Sequence, residues 1–277
     1  MKSKIHENLL KKINTMSTKF ILATTAFLLS LVSFAQVSEN RTVSDFSKLK
    51  ASQGIEVLYT VSNSNSVKVE TDDNERLQMI KTEVEGETLK IFVDTDNAKN
   101  TKSKKWNNRT IDGVSFNVIK VYVTGKSLTE IKASSSASIK IQNLNTTEKL
   151  EIAASSSGSV SGNFECNDFK ADVSSSGDVK GKLSAKTVYV EVSSSGDVTL
   201  DGNATSLEVK ASSSGDCNLK GLTVVDAKVK ASSSADVTLT VAKSLDAAAS
   251  SSADIDYYGN PSQVNTDNSS SGSVNRR

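Results

Sequence analysis

The sequence predicts an all-β fold: a single-stranded parallel β-helix of about 19 residues per coil, with a short capping helix near the N-terminus. Three observations predict it. The hexapeptide Ser193-Ser194-Ser195-Gly196-Asp197-Val198 recurs eight times, with copies starting at Ser134, Ser155, Ser174, Ser193, Ser212, Ser232, Ser250 and Ser269. Apolar residues alternate between copies, as in Val188, Val190, Val192 and then Val198 and Leu200, the period of an extended chain with one buried face. Stacking the copies also lines up like residues, so each repeat reads as one coil resting on the next. The default hand for parallel crossovers is right-handed.

The chain begins with a segment that does not belong to this design. Residues 1–36 read as a signal peptide: a charged Met16-Ser17-Thr18-Lys19, an apolar run from Phe20 to Phe34, and small residues at Ser33 and Ala35 that place cleavage before Gln36. The basic residues 1–15 are a long leader extension or an unused upstream start, with Met16 as the alternative initiator. The apolar run is short for a membrane span. No long apolar segment follows it, so no transmembrane segment is expected in the mature chain.

Residues 37–277 are expected to form one β-helical domain, irregular over 41–133 and regular over 134–277. Leu49 to Val57 resembles a repeat with one residue missing at its corner. Val67 and Val69, then Leu89, Ile91 and Val93, then Ile119, Val121 and Val123, alternate as strands. Asp72 to Lys81 opens with a capping residue and carries an apolar pair, Leu77 and Ile80. This predicts a short helix, placed to cover the open end of the stack. The polar segment 94–113 reads as a surface insertion. Near the other end Tyr257-Tyr258-Gly259-Asn260-Pro261 breaks the pattern before a last coil, Val264 to Val274.

Within the regular coils, inward columns are expected at Ile139, Val160, Val179, Val198, Cys217, Val237, Ile255 and Val274, and at the small residues Ala137 to Gly272 beside them. The alternation carried through each serine triplet places the middle serine inward with the following Gly or Ala, and the outer two serines outward. The inward parity also runs on from Leu200 to Gly202. Cys217 lies in the inward column and Cys166 has inward parity, more than two coils away. Both are expected to be buried free thiols.

Two surfaces are candidates for binding. The first is the loop 94–113, where the sole Trp sits among cations: Trp106, Lys104, Lys105 and Arg109 suit a glycan, an acidic surface or a protein partner. The plainer reading is a flexible insertion. The second is an acidic column, Asp178, Asp197, Asp216, Asp236 and Asp254, one carboxylate per coil. Aligned like charges repel. Either turn hydrogen bonds together with Lys180, Lys210, Lys220 and Lys230 offset them, or the column is a divalent-cation or ligand surface.

These residues together suggest a family. The leader, the early Gly54-Ile55, the serial Ser-Ser-Ser-Gly-Asp-Val coils and the Tyr258 to Pro261 turn resemble the auto-transporter adhesin, head GIN domain family, exported proteins of Bacteroidetes-type bacteria. The resemblance runs from about Phe46 to Val274 and departs at Glu56, where the family's name puts Asn. It implies a β-helical fold and an envelope or surface setting, and no catalytic residue.

Composition narrows the function. A formal net charge of +1 gives no argument for nucleic acid, and no motif calls for a cofactor. The expected role is a non-enzymatic envelope or cell-surface protein, in the periplasm or outside the cell, that binds a glycan, a surface polymer or a protein. One alternative is a carbohydrate-active β-helix enzyme, a polysaccharide lyase or hydrolase. A glycosidase needs two carboxylates in unlike environments, whereas these repeat in register. The single His, His6, lies in the leader, and no Arg occurs between Arg109 and Arg276. A purely structural envelope protein is a further alternative. Ice binding is disfavoured, because the serines flank charged Asp rather than forming a flat Thr ladder.

Overall fold

A computed structural model describes residues 36–96 and 109–277. The signal peptide reading therefore lies outside the described residues, apart from Gln36. Beyond that segment the chain is a parallel β-solenoid with two long ladders of strands. One ladder runs into the serine corners and the other runs out of them. The predicted apolar column forms residue for residue: Val179 pairs with Val198, Val198 with Cys217, Cys217 with Val237, and Val237 with Ile255. At the other end Val121, Val57 and Ile139 continue it. Cys166 and Cys217 are buried free thiols, as expected. Burial pushes the Cys166 thiol up to about 11.

The corner differs from the alternation. In each copy the middle and third serines both have positive φ, as at Ser194 (51°) and Ser195 (59°). Both are exposed, so the middle serine does not face inward. Two left-handed residues in succession make a type I′ turn, closed by Gly196 N–H donating to the Ser193 carbonyl at 2.9 Å. The turn directs both central side chains outward. Left-handed non-glycine residues cost about 1 kcal/mol each. The corners offset this by joining the ladder: Ser193 N–H donates back to Val173 and Ser195 N–H forward to Ser213. Where the inward residue after the turn is Gly, the neighbouring coil leaves little room for a side chain. A Cβ on Gly177 would lie 2.2 Å from the Ala154 carbonyl oxygen.

Ser52-Gln53-Gly54-Ile55 forms the same corner with no residue missing. Ala51 pairs with Ala133, and Glu56 with Ser138, five residues later in each chain segment. Gly54 takes the second left-handed position (φ 70°) and Ile55 fills the small inward column.

A second bend closes each coil. Inward positions shift parity there, from Leu183 to Val188 in one coil and from Ala204 to Leu207 in the next. Gly202, with φ 123°, is exposed although its ladder partners Leu183 and Leu222 are buried, and Ala204 resumes the inward parity before the shift. Differences in coil length are absorbed on this side, as register shifts between Lys140 and Leu144, Thr199 and Gly202, and Leu219 and Thr223. The serine corners stay in register throughout.

At the N-terminal end, spatial order departs from chain order. Strands Thr88–Val93 and Ile119–Gly125 make the outermost parallel coil, stacked on Lys48–Ala51 and Glu56–Val61. Three antiparallel strands then end the ladders: Ile80–Glu85 on one, and Ser66–Thr71 followed by Val37–Arg41 on the other. The predicted helix, Asn74–Met79, connects Ser66–Thr71 to Ile80–Glu85 and buries Leu77 and Met79. Asp73 caps it by accepting from Arg76 N–H at 2.9 Å.

Candidate binding surface

The acidic column forms in the predicted register, with Asp178, Asp197, Asp216, Asp236 and Asp254 as successive partners. Its two ends are compensated. Lys180 Nζ lies 3.0 Å from Asp178 Oδ2, and the Ser273 hydroxyl donates to Asp254. Among the described residues, the side chains of Asp197, Asp216 and Asp236 form no hydrogen bond or ion pair. Burial, and then the neighbouring Asp197 and Asp236, hold the Asp216 carboxyl above the usual carboxylate range. The expected screening therefore applies only to Lys180. Lys210 instead lies over the Tyr189 ring at 5.1 Å, and Lys220 over Tyr258 at 4.1 Å. No group of three or more His, Cys, Asp or Glu among the described residues is placed to hold a metal ion. One carboxylate per coil on a flat ladder makes a negative stripe, without the converging oxygens a Ca²⁺ site needs.

Trp106, Lys104 and Lys105 lie outside the described residues. Arg109 opens strand Arg109–Ile111, which pairs with Val114–Phe116 as a hairpin. This insertion occupies the place of a serine corner, between Val93 and Ile119 of the outermost coil. Its described base is fastened to the cap. Arg76 Nε donates to the Ser115 carbonyl at 2.6 Å, and the Asp72 carboxylate accepts from Asn117 N–H at 2.7 Å.

Sequence reasoning missed a third surface. At the second bend, outward side chains on either side of the inward Val188 column border a groove of about 1110 Å³. One border column runs from Lys149 to Gln263 and the other from Glu151 to Asn265. Seven successive coils contribute. Tyr189 stands on one border, its hydroxyl donating to Glu191 at 2.8 Å. Neighbouring coils are tied along the borders: Thr187 donates to Asp168, Ser244 to Asp226, and Asn265 Nδ2 to Asp246 at 3.1 Å. The signal was present in the sequence. Inward residues three apart instead of two, as at Ala204 and Leu207, mark the bend that makes the outer face concave there.

The chain belongs to the family described as "putative auto-transporter adhesin, head GIN domain", whose model matches residues 45–261. Solved structures share the fold. One, named as a putative lipid binding protein from Parabacteroides distasonis, is 23% identical, covers 87% of this chain and 96% of its own, and has a TM-score of 0.75. A putative adhesin from Parabacteroides merdae is 18% identical over 87% and 96% of the two chains, with a TM-score of 0.74. Another from Bacteroides fragilis is 21% identical over 87% and 97%, with a TM-score of 0.60. At these identities the likeness concerns the fold alone. A comparison with curated proteins gives no match. Among the described residues, no helix is long and apolar enough to cross a membrane.

Proposed function

We propose that this head GIN domain protein is exported and acts without catalysis, as an adhesin-like protein of the envelope or cell surface that binds a glycan, a surface polymer or a protein partner. The leader-like residues 1–36 support export. The observation that carries binding is the groove that continues across seven coils of a rigid stack. Its length suits an extended ligand better than a small metabolite. One relative is named for lipid binding, but this groove is open along its length and would leave an acyl chain in water.

The enzyme alternative asks for a general acid and base set apart from their neighbours. Asp216 in the acidic column has a raised proton affinity, but it is flanked by Asp197 and Asp236 in the same geometry. Residues 37–277, immobilised and exposed to envelope fractions with and without Ca²⁺, should retain a component saturably in both conditions. Deleting residues 99–108 tests the Trp106 loop as a second contact. Release of reducing ends from a polysaccharide would replace this reading with the enzymatic one.

A further inference from the structure

We infer that the groove at the second bend is the seat of an uncharged polysaccharide strand lying along the solenoid axis, with Tyr189 as its stacking platform. This rests on the binding reading and specifies its ligand.

Length comes first. Seven coils at strand spacing span about 29 Å, and each coil advances the groove by about 4.8 Å, close to the length of one pyranose ring in an extended chain. A polymer of sugars would therefore meet one coil per residue.

The groove floor excludes strand-like peptides as the natural occupant. Its backbone N–H and C=O groups are already paired in the parallel ladder, as at Val188 with Phe169 and Leu207. No main-chain group is left to add a strand, so recognition falls to side chains. The borders present hydroxyls, amides and carboxylates, the donors and acceptors that match sugar hydroxyls. The cross-coil bonds from Thr187, Ser244 and Asn265 hold several of them in place before a ligand arrives, which lowers the ordering cost of binding.

Charge decides among polymers. Three lysines and five carboxylates line the groove, a net of two negative charges. An acidic glycan, a phosphate polymer or a nucleic acid would be repelled along its length. An uncharged strand meets no such penalty. Tyr189, near the middle of one border, offers a ring face to the C–H face of a sugar. Lys210 already covers one approach to that ring at 5.1 Å.

The test is native electrophoresis of residues 37–277 through gels containing mixed-linkage β-glucan, arabinoxylan or glycogen, with polygalacturonate as the acidic comparison. At least one neutral polymer should retard the protein, and polygalacturonate should not. Tyr189→Ala should weaken the retardation about tenfold, and Ser206→Trp, which fills the groove from an outward position, should abolish it. Both variants should keep the parent's thermal midpoint. Glu208→Lys should reduce the discrimination against polygalacturonate. Retardation by neutral polymers that survives Tyr189→Ala and Ser206→Trp would place the site elsewhere and overturn the proposal. Stronger retardation by polygalacturonate than by any neutral polymer would also overturn it. If no polysaccharide binds while envelope fractions still do, the glycan assignment falls and the wider binding reading stands. If neither binds, both fall.

Discussion

The N-terminal end and the serine-cornered stack use opposite means of holding a strand in place. In the stack like meets like at the serine corners and along the inward Val/Ile column, Cys217 excepted, and the register shifts are confined to the second bend. At the N-terminal end the contacts are between unlike groups. Arg41 binds Glu39 at 2.8 Å and also caps the helix by donating to the Leu77 carbonyl at 2.8 Å. Asn143 exchanges two hydrogen bonds with the backbone of Val61, and Asn145 does the same with Leu128. The difference teaches what repetition cannot supply. A parallel ladder propagates from a short motif but leaves its last strand unpaired. Ending it takes antiparallel strands, a helix and polar side chains aimed at particular backbone atoms.

The largest test of that contrast is Val198→Asp. It places a carboxylate inside the valine column, between Val179 and Cys217, with no partner. The cost should be on the order of 4–5 kcal/mol. Because coils in a solenoid are stabilised by their neighbours, the loss should be polar. Hydrogen exchange should lose protection from about Ser174 onward, while the strands of residues 37–125 keep theirs. Uniform loss along the whole chain would mean that cap and stack form one cooperative unit rather than two differently held regions.

The joint between the two regions gives a sharper test. Asn145 is fully buried and pairs with both the N–H (2.7 Å) and the C=O (2.9 Å) of Leu128. In the next coils the same column position holds Phe164 and then Leu183. Asn145→Leu therefore installs the stack's own kind of residue at the joint. It should still destabilise by about 2 kcal/mol, because two buried backbone groups lose their partners. Urea denaturation measures this. A neutral or stabilising result would show that the joint needs only volume, as the stack does.

How much was legible in the sequence follows the same division. The apolar columns, the acidic register and the buried thiols could be read because each depends on a period, and a period is visible in one chain. The serine orientation was misread because alternation assumes an extended backbone, and two left-handed residues at Ser194 and Ser195 suspend it. The coil at Ser52 was read as short because Gln53 and Ile55 replace the repeat's usual letters, though the turn is the same. The spatial order at the N-terminal end depends on which strands pair at long range, such as Lys48–Ala51 between Thr88–Ile91 and Glu130–Ala133. No local pattern encodes that. The groove went unseen for a related reason: it belongs to the side of the coil where lengths vary, and the eye follows the invariant corner.

The smallest effect concerns the one place where repetition works against the stack. Asp197, Asp216 and Asp236 repeat in register without a side-chain partner among the described residues, while Lys180 and Ser273 relieve the ends of the column. Asp216 is held above its ordinary value of 3.8. Its folded form therefore binds a proton more readily than its unfolded form. The stability linked to that proton is fully present below the unfolded value and is lost as pH rises through the folded one. At neutral pH the carboxylate is charged in both states, and its repulsion counts against folding. Asp216→Asn should raise stability at pH 7 by a few tenths of a kcal/mol, with the gain fading as pH falls towards 4 and shrinking in high salt. Asp178→Asn, which removes a carboxylate that Lys180 already offsets, should bring no gain. Thermal midpoints of the three proteins across pH decide it. A parent protein stabilised by Ca²⁺ where Asp216→Asn is not would reverse the interpretation, since the repulsion would then be what holds a cation on the stack.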